Sequence, residues 1–190
     1  MVLEEECKKY TDEKLVELAL LNPDHYGCLV NRYTEALGRY VVRLGCRTAD
    51  VDDVLQEVFL SAYLHLNDFD RNLKFSSWIY RITHNQAISH FRKLNVRPTI
   101  ELTELEPWQE IIGEGGPGLK IDQDILTKKI KASLELMDEK YREVLILKYF
   151  EDKDYTEMSD ILKKPMGTIA TLVNRAKKQL LSLLAEKTLR

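Results

Sequence analysis

The sequence predicts an all-α protein: two small helical modules joined by a flexible acidic linker. Apolar residues recur at intervals of three and four on both sides of the chain's middle, and nothing reads as alternating strands. Proline and glycine cluster from Pro98 to Gly118, with Pro107, Pro117 and the run Gly113-Glu114-Gly115-Gly116. A stretch of that composition is not expected to hold one regular element. Charge is segregated as well. Arg71 to Ile100 contains Arg71, Lys74, Arg81, Arg92, Lys93 and Arg97 without an acid, and Ile161 to Ala185 contains Lys163, Lys164, Arg175, Lys177 and Lys178 without an acid. In a chain of formal net charge -3 this makes two local positive fields, for which nucleic acid is the leading partner and two solvated helix faces the plainer alternative.

The first module, 1–95, is expected to hold helices near 12–21, 24–44, 49–66 and 74–94, with Gly45 stopping the second. On the third helix Val51, Val54, Leu55, Val58, Phe59 and Ala62 form the face to be buried. Asp53, Gln56 and Glu57 share the opposite face with Leu60 and Leu64. Two leucines on a polar face need a cover, supplied either by this chain or by a partner protein with the acids as a polar rim. The helix near 74–94 carries two apolar stripes, and between them Trp78, Arg81, Asn85, Ile88 and Arg92. On an exposed line, an indole beside guanidinium groups suits unstacked bases and their phosphates. Trp78 belongs either there or in the core. The preceding polar turn, Asn67-Asp68-Phe69-Asp70-Arg71-Asn72, either holds an extruded base or uses Phe69 to plug the bundle.

The linker, 96–124, has seven acids against two basic residues, a net of -5. It should avoid DNA phosphates and could follow a basic channel on another protein, or be merely soluble. In the second module, 125–190, two short helices and a proline-marked turn ahead of a long final helix form a candidate helix-turn-helix. Its core should comprise Leu134, Met137, Val144, Leu145, Leu147, Met158, Ile161, Leu162, Ile169, Leu172 and Val173. Free amides at Met166-Gly167-Thr168 are placed to meet a phosphate. Thr168, Ala170, Thr171, Asn174, Arg175, Lys177 and Lys178 are the groups able to face a major groove or its flanks. For Arg175 an ion pair within the module is the alternative.

A chain of 190 residues with 44% hydrophobic content can form real cores. The apolar runs are too short for a membrane span, and the start lacks a secretion signal, so a cytoplasmic protein without membrane insertion is expected. Cys7, Cys28 and Cys46 are odd in number and lack a CxxC spacing, which points to reduced thiols. His84 and His90, with Cys46 far away in sequence, make no metal signature, and the histidines are expected to be structural or at the surface. No catalytic set, cofactor motif or phosphate loop is present: Gly113 to Gly118 is not followed by Lys-Ser/Thr. An autonomous dimeric helix-turn-helix regulator is a rival reading, but no long apolar stripe outside the modules would dimerise it. An enzyme or a simple interaction protein has less in its favour.

The stretches Asp52-Asp53-Val54-Leu55-Gln56-Glu57-Val58-Phe59-Leu60 and Phe75-Ser76-Ser77-Trp78-Ile79-Tyr80-Arg81-Ile82 resemble the second region of bacterial sigma-70-type initiation factors of the small extracytoplasmic-function (ECF) group. Tyr141-Arg142-Glu143-Val144-Leu145, Tyr155-Thr156-Glu157-Met158 and Met166-Gly167-Thr168-Ile169 resemble the fourth region of that group. The resemblance implies a dissociable subunit of bacterial core RNA polymerase that performs no covalent step. Asp53, Gln56, Glu57 and Leu60 would grip the clamp helices of the largest polymerase subunit. Asn67, Phe69, Asn72, Lys74, Trp78, Arg81 and Asn85 would capture flipped bases of the -10 element and melt the duplex, and Thr168 to Lys178 would read the -35 element. It further implies an acidic linker running toward the RNA exit path and restraint by a membrane-associated anti-sigma factor. One departure stands out. Where the family often has Gly-Thr-Val-Lys-Ser-Arg, this chain has Gly167-Thr168-Ile169-Ala170-Thr171-Leu172, two basic side chains fewer, which implies a weaker or altered grip on the upstream element.

Overall fold

The structure is a computed structural model that describes residues 7–94, 98, 106–113 and 123–186. The chain divides into two compact units, with the main boundary between Arg97 and Pro98, and all of the described elements are helical.

In the first unit α1 spans Asp12–Leu21, α2 Tyr26–Leu44, α3 Val51–Leu64 and α4 Phe75–Leu94. Thr11 caps α1 by accepting from the Lys14 amide at 3.3 Å, and Asp12 and Glu13 in its first turn suit the positive helix terminus. The expected helix from 24 starts later because Pro23–His25 forms a separate 3-10 turn, capped by the Asn22 side chain. Gly45, at φ +108°, follows the end of α2 in a conformation that disfavours other residues. The expected helix 49–66 is α3 between two further 3-10 turns, Thr48–Asp50 and Leu66–Asp68.

The core follows the helical period. Leu15 and Val16 from α1, Leu29, Leu37 and Tyr40 from α2, Val58 and Ala62 from α3, and Phe75 and Ile79 from α4 are all at most 1% exposed. Each large side chain buried in this way stabilises the unit by roughly 1.5–3 kcal/mol. Polar clasps fix α1 in place. Asp12 accepts from both the Arg32 guanidinium and the Tyr33 hydroxyl. Glu13 accepts from the Phe75 amide at 3.2 Å, which places a carboxylate at the start of α4.

The cysteines correct the expectation of reduced thiols. Cys7 and Cys28 form a disulfide, with Cα atoms 5.4 Å apart. Cys46 is free and buried, and burial pushes its thiol up to about 11.

The second unit contains α5 (Glu106–Gly113), α6 (Gln123–Leu136), α7 (Glu139–Tyr149), α8 (Tyr155–Leu162) and α9 (Met166–Glu186). The helix α5 overturns the expectation that the linker holds no regular element. Pro107 falls in the first turn, where a missing amide costs nothing, and Gly113 closes the far end. Between them Trp108 and Ile111 share one face and are 4% and 0% exposed, the indole packing on the Phe150 ring at 4.8 Å. The rest of the linker lies outside the described residues, apart from Pro98 and the first two residues of α6.

The core of α6 to α9 contains the expected residues, except that Leu172 is half-buried, and it adds Ile130, Ala176, Leu180 and Leu184. Ile169, Val173, Ala176, Leu180 and Leu184 make the buried stripe of α9. Arg142 donates to the carbonyls of Leu134 and Met137 at 3.1 and 3.0 Å, satisfying the end of α6. Asp154 and Glu157 form a capping box at the start of α8. The turn into α9 is set by Lys163 in the left-handed conformation and by the Ser159 hydroxyl donating to the Lys164 carbonyl at 2.6 Å.

Candidate functional site

The outer face of α3 is built from positions three and four apart, which fall on one side of a helix. Asp53, Gln56 and Glu57 are exposed there. Leu60 is 53% exposed and Leu64 66%, so the free chain leaves these leucines uncovered. Tyr63, at 42% exposed, extends the apolar patch and went unnoticed in the sequence. Its ring packs on Tyr26 at 5.1 Å, and the Tyr26 hydroxyl donates to the Phe59 carbonyl at 2.6 Å. Burial raises the Tyr26 phenol well above its ordinary value, which keeps it a donor. Asp53, Gln56 and Glu57 also line a cavity of about 500 Å³, faced by Gln86 and Lys93 of α4, whereas Leu60 lies outside it.

The face expected around Trp78 needs correction. Trp78 and Phe69 are each 6% exposed, so neither ring is presented to solvent. They pack with Phe75 in a three-ring cluster, with centroids 5.4 to 5.6 Å apart. Trp78 lies three residues after the fully buried Phe75 and one before Ile79, and helical geometry carries it onto their face. Phe69 is drawn in because it leaves the 3-10 turn Leu66–Asp68 in extended conformation. Of the other residues expected at this face, Asn67, Asn72, Lys74 and Asn85 are exposed and Arg81 is half-buried. Asn72 donates through its amide and its side-chain Nδ2 to Asp70 Oδ1, at 3.0 and 2.9 Å, which fixes the loop ahead of α4.

On α9, Thr168, Thr171, Asn174, Arg175 and Lys178 are exposed, while Ala170 and Lys177 are half-buried. The Lys177 ammonium sits 5.0 Å from the Tyr149 ring centroid, an anchoring contact that holds its charge beside the helix. The Thr171 hydroxyl donates to the Gly167 carbonyl at 2.9 Å, leaving the oxygen as an acceptor on the exposed face. The expected free amides at the helix start are fewer, since the Thr168 amide donates to the Pro165 carbonyl at 2.8 Å. Among the described residues no acid pairs with Arg175. Short polar side chains with a cationic far end are what a major-groove helix requires.

A helical bundle with an uncovered acidic and apolar helix face, and a helix-turn-helix with a polar, cationic final helix, define a DNA-binding protein that docks on another protein. Comparison with known proteins agrees. The model of sigma-70 region 2 matches residues 29–97 and that of sigma-70 region 4 matches 127–180. The ECF RNA polymerase sigma factor SigW of Bacillus subtilis is 29% identical over 163 residues, covering 83% of this chain and 87% of that protein. Among solved structures, CnrH in complex with the cytosolic domain of CnrY aligns with a TM-score of 0.67 at 24% identity, covering 92% of this chain and 97% of that one. The sigma factor RpoE of Bartonella quintana, in complex with the anti-sigma factor NepR, aligns with a TM-score of 0.58 at 21% identity, covering 82% and 94%. The chain belongs to the ECF group of the bacterial sigma-70 family. It is a sigma factor, a polymerase subunit for promoter recognition and not an enzyme. Among the described residues no helix is long and apolar enough to cross a membrane.

Proposed function

We propose that residues 1–95 serve as the polymerase-binding and promoter-melting region, 96–124 as the linker, and 125–190 as the upstream-element reader. The clamp helices of core polymerase would cover Asp53, Gln56, Glu57 and Leu60, with Leu64 and Tyr63 widening the contact. The observation that carries this assignment is the exposure of Leu60 and Leu64 beside three polar neighbours, a patch that costs free energy until a partner buries it. Asn67, Asn72, Lys74, Arg81 and Asn85 would hold bases and phosphates of the melted strand, lowering the cost of opening by stabilising unstacked nucleotides. Phe69 and Trp78 act in this scheme as buried positioning residues, whose ring cluster with Phe75 ties the loop to the start of α4.

Thr168, Ala170, Thr171, Asn174, Arg175, Lys177 and Lys178 would meet the upstream element. Ala170 and Leu172 in place of basic residues make that contact less dependent on phosphate neutralisation. An anti-sigma protein, membrane-associated, would hold the factor inactive in the cytoplasm by covering these faces. The fold likeness to two sigma factors solved with bound partners supports this mode of control.

Run-off transcription tests the assignment: purified bacterial core polymerase and this chain on a library of promoter-like duplexes. Specific starts that require both proteins are expected. Duplex binding by the chain alone, with no polymerase-dependent start, would overturn the scheme in favour of an autonomous regulator.

A further inference from the structure

Cys46 and His90 have no metal-ligand spacing in sequence, yet the fold of the first unit brings them together with Asp50. Cys46 lies just beyond α2, the turn Thr48–Asp50 carries Asp50 to the start of α3, and His90 comes from near the end of α4. One thiol sulfur, one carboxylate oxygen and one ring nitrogen lie within 4.8 Å of one another. Cys46 is 1% exposed. The buried His90 Nε2 lacks a hydrogen-bond partner among the described residues and stands 3.5 Å from Asp50 Oδ2, beyond an ordinary hydrogen bond. Burying a nitrogen in this way is unfavourable unless something satisfies it.

Sulfur, imidazole and carboxylate together are the donor set of borderline transition ions, whereas magnesium and calcium take oxygen alone. Tetrahedral bonds of about 2.0–2.3 Å put neighbouring ligand atoms roughly 3.4–3.8 Å apart; His90 and Asp50 already stand 3.5 Å apart, and closure draws in the wider-spaced donors by about 1 Å. Asp50 Oδ2 also accepts from Arg47 Nε at 2.8 Å. A carboxylate has a second oxygen, and Arg47 can stay as the outer partner that orients it, as metal-bound carboxylates commonly require. Asp50 and His90 line the cavity between α3 and α4, which gives an ion a route in and a place for a fourth ligand.

We propose that Cys46, Asp50 and His90 form a site for one divalent transition ion of the zinc class, with three protein ligands and the fourth position open to the cavity. The site stands apart from the sigma-factor assignment, because ion binding is read on the chain alone. The probe is Co²⁺, titrated into the full-length, oxidised protein without added thiol. With Cys7 and Cys28 in their disulfide, Cys46 is the one thiol available among three cysteines, so a sulfur-to-cobalt charge-transfer band reports on it alone. The expected result is a band that saturates at one equivalent and is reversed by excess Zn²⁺. Cys46→Ser should abolish it, and His90→Gln should weaken binding by at least about 100-fold, beyond the usual cost of losing an outer partner. If Cys46→Ser fails to fold by circular dichroism, His90→Gln at the less buried position decides. Absence of the band in the oxidised protein, or a folded His90→Gln variant that titrates like the parent, would overturn the proposal.

Discussion

Replacing Leu60 by Asp puts the docking face to a quantitative test. Full burial of a leucine is worth about 1.5–3 kcal/mol. Leu60 is 53% exposed, so about half of that, roughly 1–1.5 kcal/mol, remains for a partner to recover. Leu60→Ala should therefore weaken binding to core polymerase by roughly 5- to 10-fold. The Asp variant loses the same contact and adds the cost of setting a carboxylate against apolar surface, about 1–3 kcal/mol on the protein mutational scale. The total of about 2–4.5 kcal/mol corresponds to roughly 30- to 2,000-fold weaker binding. The other half is already buried in the free fold, so the loss of stability should stay within about 1.5 kcal/mol. Anisotropy of the labelled chain titrated with core polymerase at fixed salt measures the first quantity, and urea unfolding the second. An Asp variant that binds within about twofold of the parent, with unchanged unfolding, would refute the interface.

Three further outcomes follow from the geometry. Ala170→Lys adds a cation at a half-buried position of α9 from which a long side chain can reach solvent, and the log–log salt dependence of holoenzyme binding to its promoter duplex should steepen by about one unit; an unchanged slope would place position 170 away from phosphate. Asp154→Ala removes one half of the capping box and should cost about 1 kcal/mol in chemical unfolding of the second unit. The Cys7→Ser/Cys28→Ser pair frees a segment whose ends are 21 residues apart, and should lower the stability of the first unit by about 3 kcal/mol on the chain-entropy account. With Trp108 replaced by Phe, fluorescence of Trp78 reports that loss, and coincident unfolding curves would contradict it.

Much of the fold is legible in the sequence because helix periodicity is a local signal. The buried stripe of α9 and the exposed leucines of α3 both follow from intervals of three and four. What escaped depends on position within an element or on contacts between elements. Pro107 and Gly113 read as breakers, yet they occupy the two ends of α5, where such residues are tolerated. Trp78 beside Arg81 suggested a wet face, although its spacing from Phe75 already placed it inward. The Cys7–Cys28 bond and the Cys46, Asp50 and His90 cluster are meetings of separate segments, and no spacing rule encodes them.

The N-terminal lead is held by more than its sulfur bridge. The Arg32 guanidinium gathers the Cys7 and Tyr10 carbonyls, at 2.8 and 3.1 Å, together with the Asp12 carboxylate. Breaking the bridge, as a reducing compartment favours, therefore leaves a polar latch closed over the same segment. Oxidised and reduced forms would then share one resting shape and differ in how often the lead peels away. Trimming by proteases or faster amide exchange ahead of α1, rather than any change in helix content, is where the cell's thiol balance would register on this chain.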